Sequence, residues 1–309
     1  MIKITKRIIK KYCPNIILRN YAIISFAIMY KINPKSLAND LHKGLVGYNI
    51  DWDNPSTLNE KINWMKFNCD TSEWTILADK YKVREYVKDK IGEVYLPKLY
   101  GVWTNIDSID FNSLPKKFVL KTNHGAGTIL LVEDKSKLNI TEIKSQLKKW
   151  LNLRFGYSTI EPHYLRIPPC IIAEEYLENT SKESSSIVDY KVYCADGRPY
   201  CILVCTDREI GKHSHYSYYD INWNPMPNVL IDKLKPYHKT IQCPTCINEL
   251  LDKASILSKG HPQVRVDFYI VNQKIYFGEM TFTSNGGYDG DITKEFCIKM
   301  GDNIKLPQK

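Results

Sequence analysis

The sequence predicts an α+β protein, in which helices and strands are interspersed without regular alternation. Two helix-like segments come early, "STLNEKINWMKFN" and "ILADKYKVREYVKDKIG", and strand-rich segments follow them. This arrangement favours α+β lobes over a repeating doubly wound sheet. The chain has 309 residues, 43% of them apolar, which is enough for one large domain or for two to three lobes with their own cores.

The early helices carry start and stop signals. Thr57 and Glu60 have the spacing of a capping box, and apolar residues recur behind them at helical intervals. "ILADKYKVREYVKDKIG" predicts a second helix, ending near Gly92. "YLPKLYGVW" then predicts a short strand followed by a loop.

The middle of the chain predicts two strands around a glycine-containing turn. Phe118–Leu120 and Ile129–Val132 are apolar runs typical of strands, and 123–127 is the turn between them. A lysine-rich helix is expected over 141–155. "PPCIIAEEYL" predicts a buried strand that ends in two acids.

The last third predicts two hairpins and two helices. "DYKVYCADGRPYCILVC" forms a hairpin with Asp196-Gly197 in its turn, and 212–240 is expected to be irregular. "INELLDKASILSKG" predicts a helix closed by Gly260. The hairpin "VRVDFYIVNQKIYFGEMTF" comes next, and a short helix is expected at Lys294–Met300.

Charge and cysteine content limit the function classes. The net charge of +9 favours anionic partners, but no alternation of basic and aromatic residues indicates nucleic-acid binding. Nine cysteines without a disulfide-like framework indicate a cytoplasmic protein with reduced thiols. The lone C-x-x-C of Cys243 and Cys246, with His238 before it, is weak evidence for zinc and is more typical of ordinary loop cysteines.

The N-terminal stretch is basic and partly apolar. "NIILRNYAIISFAIMYKI" is interrupted by Arg19 and Asn20, and its longest uninterrupted run is shorter than the ~20 residues that span a bilayer. Two interpretations stay open. The stretch is a terminal helix packed on the domain, or it makes a peripheral contact with a membrane surface, which would place the protein at the inner face of the membrane.

Two carboxylates lie near the middle of the last hairpin. Side chains alternate between the faces of a strand, so a three-residue loop at 272–274, or a bulge with the same effect, places Asp267 opposite Glu279 and Arg265 opposite Thr281. The other face is then continuously apolar. A strict two-residue loop would push one of the two acids into the core.

Paired acids on one face repel each other unless a positive group lies between them. Their Cβ atoms would be only ~5 Å apart. Three interpretations stay open on the hairpin alone: Arg265 neutralises the pair, a divalent cation such as Mg²⁺ binds both carboxylates, or the face is simply exposed to solvent.

Two further motifs fit a nucleotide. In "VLKTNHGAG", Lys121 ends a strand, and the amides from His124 to Thr128 can approach a phosphate because Gly125 and Gly127 carry no side chain. The loop lacks the G-K-[ST] of a P-loop. In "IIAEEYL" an apolar strand runs into Glu174 and Glu175, for which an adenine amino group and ribose hydroxyls are candidate donors.

Seven motifs in order resemble the ATP-grasp superfamily, and most closely its TupA-like branch from bacterial surface-polysaccharide gene clusters. They are "LNEKINWMK", "LADKYKVREYV", "LPKKFVLKTNHGAGT", "IIAEEYL", "DYKVYCADGRP", "VRVDFYIV" and "IYFGEMTF". The resemblance covers about 45–301. It implies two α+β lobes that clamp ATP, plus a helical N-terminal lobe. The division is then a basic leader at 1–50, an N-terminal lobe at 51–110, a small lobe at 111–178 and a large lobe with the metal site at 179–309.

The resemblance also implies roles for individual residues. Lys80, placed in the helix "ADKYKV", and Lys121 match the lysines on the nucleotide phosphates. Glu174 and the backbone near Leu177 match the hinge that reads adenine. The remaining matches assign the phosphate cover to His124, Gly125, Ala126, Gly127 and Thr128, the hinge also to Glu175, the magnesium ligands to Asp267 and Glu279, an acyl-phosphate contact to Arg265, and further anion contacts to Lys191 and Arg208.

One position departs from the common ATP-grasp pattern. Many members have Asn two residues after the second metal acid, whereas this chain has Thr281, as the TupA-like branch does. A hydroxyl is a weaker magnesium ligand than an amide oxygen. Asn285, four residues further on, is expected to compensate.

The resemblance implies an ATP- and Mg²⁺-dependent ligase that joins a carboxylate to an amine through an acyl phosphate. Its setting points to a uronic acid or another acidic sugar as the carboxylate, and to an amino acid or small amine as the partner. Two alternatives are kept. One is a glycosyltransferase that uses the D-x-D of Asp289 and Asp291, and the other is a kinase-like phosphotransferase on the same fold.

Overall fold

The structure is a computed structural model that describes residues 28–208 and 214–308. Most of the basic leader, residues 1–27, lies outside this range, as do the basic residues on which the membrane-surface interpretation rests. Within the described part, helix α1 (Pro34–Val46) is capped by Asn33 and ends at Gly47, whose φ is +101°. None of the helices described is both long and apolar enough to cross a membrane.

Helix α2 (Leu58–Asn68) begins as the sequence predicts. The Thr57 side chain accepts from the Glu60 amide, and the Glu60 carboxylate accepts from the Thr57 amide, so the capping box is confirmed. The carboxylate also accepts from the amides of Asp51 and Ser56, which ties the preceding loop to the helix.

The second predicted helix is wrong in its middle. The chain forms α3 (Ser72–Leu77) and α4 (Val83–Ile91) with a turn between them, so Lys80 lies in a turn and not in a helix. The Asp79 carboxylate accepts from the amides at positions 81 and 82 and competes with the helical ladder. The predicted stop is confirmed, because Gly92 ends α4 with a φ of +106°.

The first sheet has four antiparallel strands in the order β1-β4-β2-β3. They are β1 (Leu99–Trp103), β2 (Phe118–Thr122), β3 (Ile129–Val132) and β4 (Ile171–Glu175). Helix α5 (Ile140–Leu151) packs against one face and ends earlier than the predicted 141–155. Two short helices, α6 (Phe155–Thr159) and α7 (Pro162–Leu165), lead back into β4.

The second sheet has five antiparallel strands in the order β7-β6-β5-β8-β9. They are β5 (Asp189–Ala195), β6 (Arg198–Thr206), β7 (His215–Tyr219), β8 (Val264–Val271) and β9 (Lys274–Thr281). The expectation of irregular structure over 212–240 missed β7. The β5–β6 turn is confirmed, since Asp196 and Gly197 both have positive φ.

Helices pack on the second sheet and join it to the N-terminal region. Helix α8 (Ile247–Ser258) and helix α9 (Lys294–Asp302) follow the sequence expectation closely. Apolar residues of α2, α3 and α4 share one core with this larger sheet, whereas the smaller sheet has a separate core with α5. Helices α2, α3 and α4 therefore share the core of the larger sheet, whereas α1 packs in a separate cluster with Ile160 and Tyr288.

The last hairpin contains a bulge, which is the second of the two arrangements expected from the sequence. Its turn has only two residues, Asn272 and Gln273, both with positive φ. The register shifts beside Phe268, where Gly278 adds an extra residue to β9, so Asp267 still pairs with Glu279 and Arg265 with Thr281. A Cβ on Gly278 would lie 3.0 Å from the Asp267 carbonyl oxygen. The bulge at Gly278 thus keeps Asp267 opposite Glu279, and little room is left there for a side chain.

Candidate active site

The two carboxylates of the hairpin lie among cations that come from three parts of the chain. Arg265 donates from Nε and Nη2 to the two carboxylate oxygens of Asp267, both at 2.7 Å, and its Nη2 lies 3.4 Å from Glu279. Lys191, from the neighbouring β5, is 2.6 Å from Asp267. Lys80, from the turn before α4, is 3.2 Å from Glu279. The polar hairpin face is therefore a largely buried ion network, with Glu279 at its partly exposed edge.

The network sets the protonation state of its members. Burial alone would raise the pKa of Glu279, but Lys80, Lys191 and Arg265 outweigh burial and hold that pKa well below its usual value. Burial would lower the pKa of Lys191, yet Asp267 and Asp189 keep it raised. The carboxylate is charged and the amine protonated across the neutral pH range.

Lys191 and Arg208 meet at an acid that the sequence analysis did not single out. Asp189 is 1% exposed, lies 3.5 Å from Lys191 and pairs with Arg208, whose side chain is half exposed. Register explains the grouping: Lys191 lies opposite Asp267, and Asp189 lies one pleat further along the same face. The alternation of charged and apolar residues in the strand "DYKVY" could have predicted that Asp189 and Lys191 share a face.

The two candidate oxygen ligands after Glu279 lie in different environments. The Thr281 hydroxyl donates to Glu279 at 3.1 Å and accepts from Arg265 at 3.2 Å, so it belongs to the ion network. Asn285 is exposed in a short 3₁₀ turn (Ser284–Gly287) and has a φ of +49°. Burial raises the pKa of Asp289, and a hydrogen bond from the Asn285 side chain opposes this rise only in part.

This donor set fits magnesium that arrives with a nucleotide. Within 28–208 and 214–308, no group of three or more His, Cys, Asp or Glu side chains is arranged to hold a metal ion. Magnesium is usually held by one or two carboxylates together with substrate phosphates. The two carboxylates of Asp267 and Glu279 match that number of protein ligands. The Thr281 hydroxyl lies beside them, between Glu279 and Arg265.

The glycine loop lies against Lys80. The Lys80 amine donates to the carbonyl of Gly125 at 2.8 Å, and its amide donates to Asn123. Ala126 and Gly127 are exposed at the tip, while Thr128 is buried and its hydroxyl shares a 2.6 Å hydrogen bond with Thr122. Lys80 therefore connects the loop of the smaller sheet to the acid of the larger sheet.

His124 supports this loop from inside. Its Nε2 lies 3.1 Å from the Leu153 carbonyl, and its buried Nδ1 has no hydrogen-bond partner among the residues that the structure describes. Burial lowers the pKa of His124, and Lys80 and Arg154 lower it further. A neutral, anchored imidazole fits a role in shaping the loop.

Lys121 and Glu174 form a pair on the smaller sheet. The Lys121 amine is 2.5 Å from Glu174, whose other oxygen accepts from Arg84 at 2.8 Å. Arg84 also donates to the carbonyl of Pro97. Glu174 thus has two cationic partners in this structure.

Glu175 and Leu177 lie on either side of the strand end. Glu175 points to the face opposite Glu174 and exchanges hydrogen bonds with the backbone of Lys98. Leu177 is half-buried in the chain that leaves β4. Its backbone lies two residues beyond the last paired residue of the strand.

Two apolar residues on the smaller sheet were missed by sequence reasoning. Ile129 and Leu131 are 50% and 58% exposed, and they lie on the same face as Lys121 and Val119. An exposed apolar face beside a lysine–carboxylate pair is typical of a ligand-binding or interaction surface. The alternation in "TILLV" carried the signal, but it does not say which face meets a ligand.

A buried asparagine and aspartate hold the turn of Lys80 in place. Asn123 donates to Asp79 at 3.0 Å and to Pro168, and accepts from the amide of Cys170. Both residues are at most 1% exposed. Their link fixes the lysine turn against the start of the glycine loop, a contact over 44 residues that sequence periodicity does not reveal.

The D-x-D motif is occupied by structural contacts. Asp289 is 5% exposed, its carboxylate accepts from the Asp291 amide at 3.0 Å, and its backbone exchanges hydrogen bonds with Asn59. The buried carboxylate caps its own turn. This geometry does not favour a nucleotide-sugar metal site at this motif.

The C-x-x-C pair consists of free thiols. Cys243 is exposed and Cys246 is partly buried.

The family model of TupA-like ATP-grasp proteins matches residues 60–305. The match covers most of the chain, including both sheets and the ion network. The protein therefore belongs to the TupA-like ATP-grasp family, whose wider class of ligases forms C–N bonds using ATP. No curated protein sequence matches it.

The solved structures that match the chain are distant in sequence. A D-alanine–D-alanine ligase from Bacillus anthracis in complex with ATP is 15% identical, with a TM-score of 0.40, over 67% of this chain and 55% of the ligase. The corresponding enzyme from Helicobacter pylori is 12% identical, with a TM-score of 0.43, over 82% of this chain and 68% of the enzyme. An L-amino acid ligase from Bacillus licheniformis is 11% identical, with a TM-score of 0.42, over 74% of this chain and 47% of the ligase. The chain spans about half the length of the first and third of these.

Proposed function

We propose that the protein is an ATP- and Mg²⁺-dependent ligase that joins a carboxylate to an amine through an acyl phosphate. The observation that carries the proposal is the Asp267–Glu279 pair with its three cations, beside a glycine loop and an apolar face. The family supports nucleotide-dependent ligation, and the arrangement supplies groups for both ends of ATP.

The residues of the chain then have separate tasks. Lys80 and Lys121 neutralise phosphate charge, and the amides of 124–128 close over the phosphates. Ile129 and Leu131 cover the base. When bound, magnesium would be held by Asp267 and Glu279, and it would neutralise charge on the transferring phosphoryl group.

Arg265 is placed to stabilise the activated acid. It lies between Asp267 and Thr281, with its guanidinium on the ligand-facing side of the larger sheet. Attack of a substrate carboxylate on the γ-phosphate of ATP forms an acyl phosphate and ADP. Attack of a neutral amine on the acyl carbon then releases phosphate and forms the amide. No Cys or Ser nucleophile is required.

We further propose that the carboxylate belongs to an acidic sugar, such as a uronic acid in a bacterial capsular or other surface polysaccharide, and that the amine is an amino acid or another small amine. The net charge of +9 supports an acidic acceptor. The reaction would take place in the cytoplasm, with the basic leader at the inner face of the membrane.

Product analysis tests this function. Purified protein with ATP, Mg²⁺, a uronic acid and a panel of amines is expected to release ADP and phosphate only when both acid and amine are present. AMP with pyrophosphate would contradict the acyl-phosphate route. A phosphorylated sugar formed without an amine would instead show a kinase.

A further inference from the structure

A buried lysine on α2 reaches the chain segment that follows β9. Lys66 is 4% exposed, although lysine is rarely so buried without partners. Its amine lies 3.0 Å from the Asn63 side-chain oxygen, 3.2 Å from the Thr159 carbonyl, and also donates to the Gly286 carbonyl. Every one of these three partners is an acceptor, which suits the N–H donors of the amine, while burial lowers the pKa of Lys66 to about 7 against the opposing charge of Glu161.

A buried carboxylate holds the same region from the other side. Glu161 is 3% exposed and accepts from the hydroxyls of Thr159 and Thr283. Thr283 lies two residues beyond Thr281 on the continuation of β9. Lys66 and Glu161 are adjacent because both bind Thr159, one at its carbonyl and the other at its hydroxyl.

The segment between these anchors has an unusual backbone. We call residues 283–288 the post-strand loop. Asn285, Gly286 and Gly287 have φ angles of +49°, +67° and +77° in succession. The Gly287 carbonyl accepts from Asn63 at 2.7 Å, and a Cβ on Gly287 would lie 2.9 Å from the same Asn63 side chain. Its left-handed conformation is therefore fixed by close contact with α2.

We propose that Lys66 and Glu161 are positioning residues that fix the post-strand loop and, through it, the end of β9 beside the Asp267–Glu279 pair. This inference rests on the proposed function. Glu161 anchors the strand end through Thr283, and Lys66 anchors the turn that carries Asn285. The two anchors connect the N-terminal helix to the oxygen ligands that follow Glu279.

Two threonines give a matched test. Thr159→Val and Thr283→Val each remove one hydroxyl from the same carboxylate, but only Thr283 belongs to the post-strand loop. The probe is AMPPNP, titrated calorimetrically with and without Mg²⁺. Thr283→Val is expected to weaken Mg²⁺-dependent AMPPNP binding about tenfold, Thr159→Val less than twofold, and neither should change binding in EDTA.

Two lysines on α2 give a second comparison. Lys66→Met is expected to weaken Mg²⁺-dependent binding about tenfold or more. Lys61→Met, which removes hydrogen bonds at 2.8 Å to the carbonyls of Gly301 and Ile304, should affect thermal stability only. If Lys66→Met does not fold, the nearly isosteric Thr283→Val still decides the question.

The outcomes separate the two proposals. Equal behaviour of Thr283→Val and Thr159→Val in Mg²⁺-dependent binding would overturn the positioning role while leaving the proposed function standing. A wild-type protein that binds no AMPPNP with or without Mg²⁺ would overturn the proposed function, and the positioning role with it.

Discussion

The two sheets present contrasting faces to the candidate site. The larger sheet presents buried charges that already have partners, as in the contacts of Asp267 with Arg265 and Lys191. The smaller sheet presents Ile129 and Leu131, which are half exposed. On the first face a ligand must exchange ion partners, whereas on the second it buries apolar surface. The difference fits our proposal that the two ends of ATP meet these two faces.

The largest expected effect comes from breaking the ion network at its centre. Asp267→Asn leaves Arg265 and Lys191 buried without their main carboxylate, so it should lower the free energy of unfolding by about 3–5 kcal/mol and abolish turnover. Urea unfolding measures the first effect. The loss of stability is expected because Asp267 is only 2% exposed, so its two cations would be left buried. A variant as stable as wild type would show that the network contributes little.

Glu279→Gln should reduce turnover more than it reduces stability. The Glu279 side chain is 30% exposed, and Lys80 and Arg265, which contact it, keep the acceptors Gly125 and Asp267. Loss of the carboxylate is expected to lower kcat at least about 10²-fold, as for other groups that organise charge in a transition state. The control is Glu178→Gln, in an exposed pair with Lys117. Full activity of Glu279→Gln would refute its assignment as a metal ligand.

A matched pair of truncations separates the two sides of the smaller sheet. Leu120→Ala, at a fully buried position facing α5, should destabilise the fold by about 2–5 kcal/mol. Ile129→Ala, on the exposed face, should change stability by less than about 0.5 kcal/mol. It should nevertheless weaken AMPPNP binding by a few-fold, because base and side chain lose contact area. Unchanged binding would show that this face does not meet the nucleotide.

The smallest expected effect concerns pH. Burial lowers the pKa of His163 to about 3, so the folded protein holds it neutral while the unfolded chain binds a proton below about pH 6.5. Its contribution to stability is present above pH 6.5 and falls with decreasing pH, by up to about 1.4 kcal/mol per pH unit for one group. His163→Phe should flatten the slope of unfolding free energy between pH 6.5 and 5.5. An unchanged slope in this variant would show that groups other than His163 cause the pH dependence of stability.

Features that depend on local sequence patterns could be predicted from the sequence. Strand parity and the apolar face fixed the pairing of Asp267 with Glu279, because a one-residue slip would expose the core. The bulge at Gly278 preserves that register despite a two-residue turn. Local patterns likewise located the capping box of Thr57 and the turn at Asp196.

Contacts between distant segments could not be predicted in the same way. Lys80 was expected in a helix, because helical spacing does not reveal that Asp79 caps the turn. The burial of Lys66 under the Gly286 carbonyl joins residues 220 apart. Such contacts arise from packing of the N-terminal helices on the larger sheet, for which no local periodicity exists.

The most direct test of the account is nucleotide binding with and without metal. In a thermal-shift experiment, AMPPNP with Mg²⁺ should raise Tm by several degrees, since saturation at 100 times Kd contributes about 2.7 kcal/mol. Mg²⁺ alone should leave Tm unchanged, because Lys80, Lys191 and Arg265 already neutralise the two carboxylates. Stabilisation by a UDP-sugar and none by AMPPNP with Mg²⁺ would contradict the account.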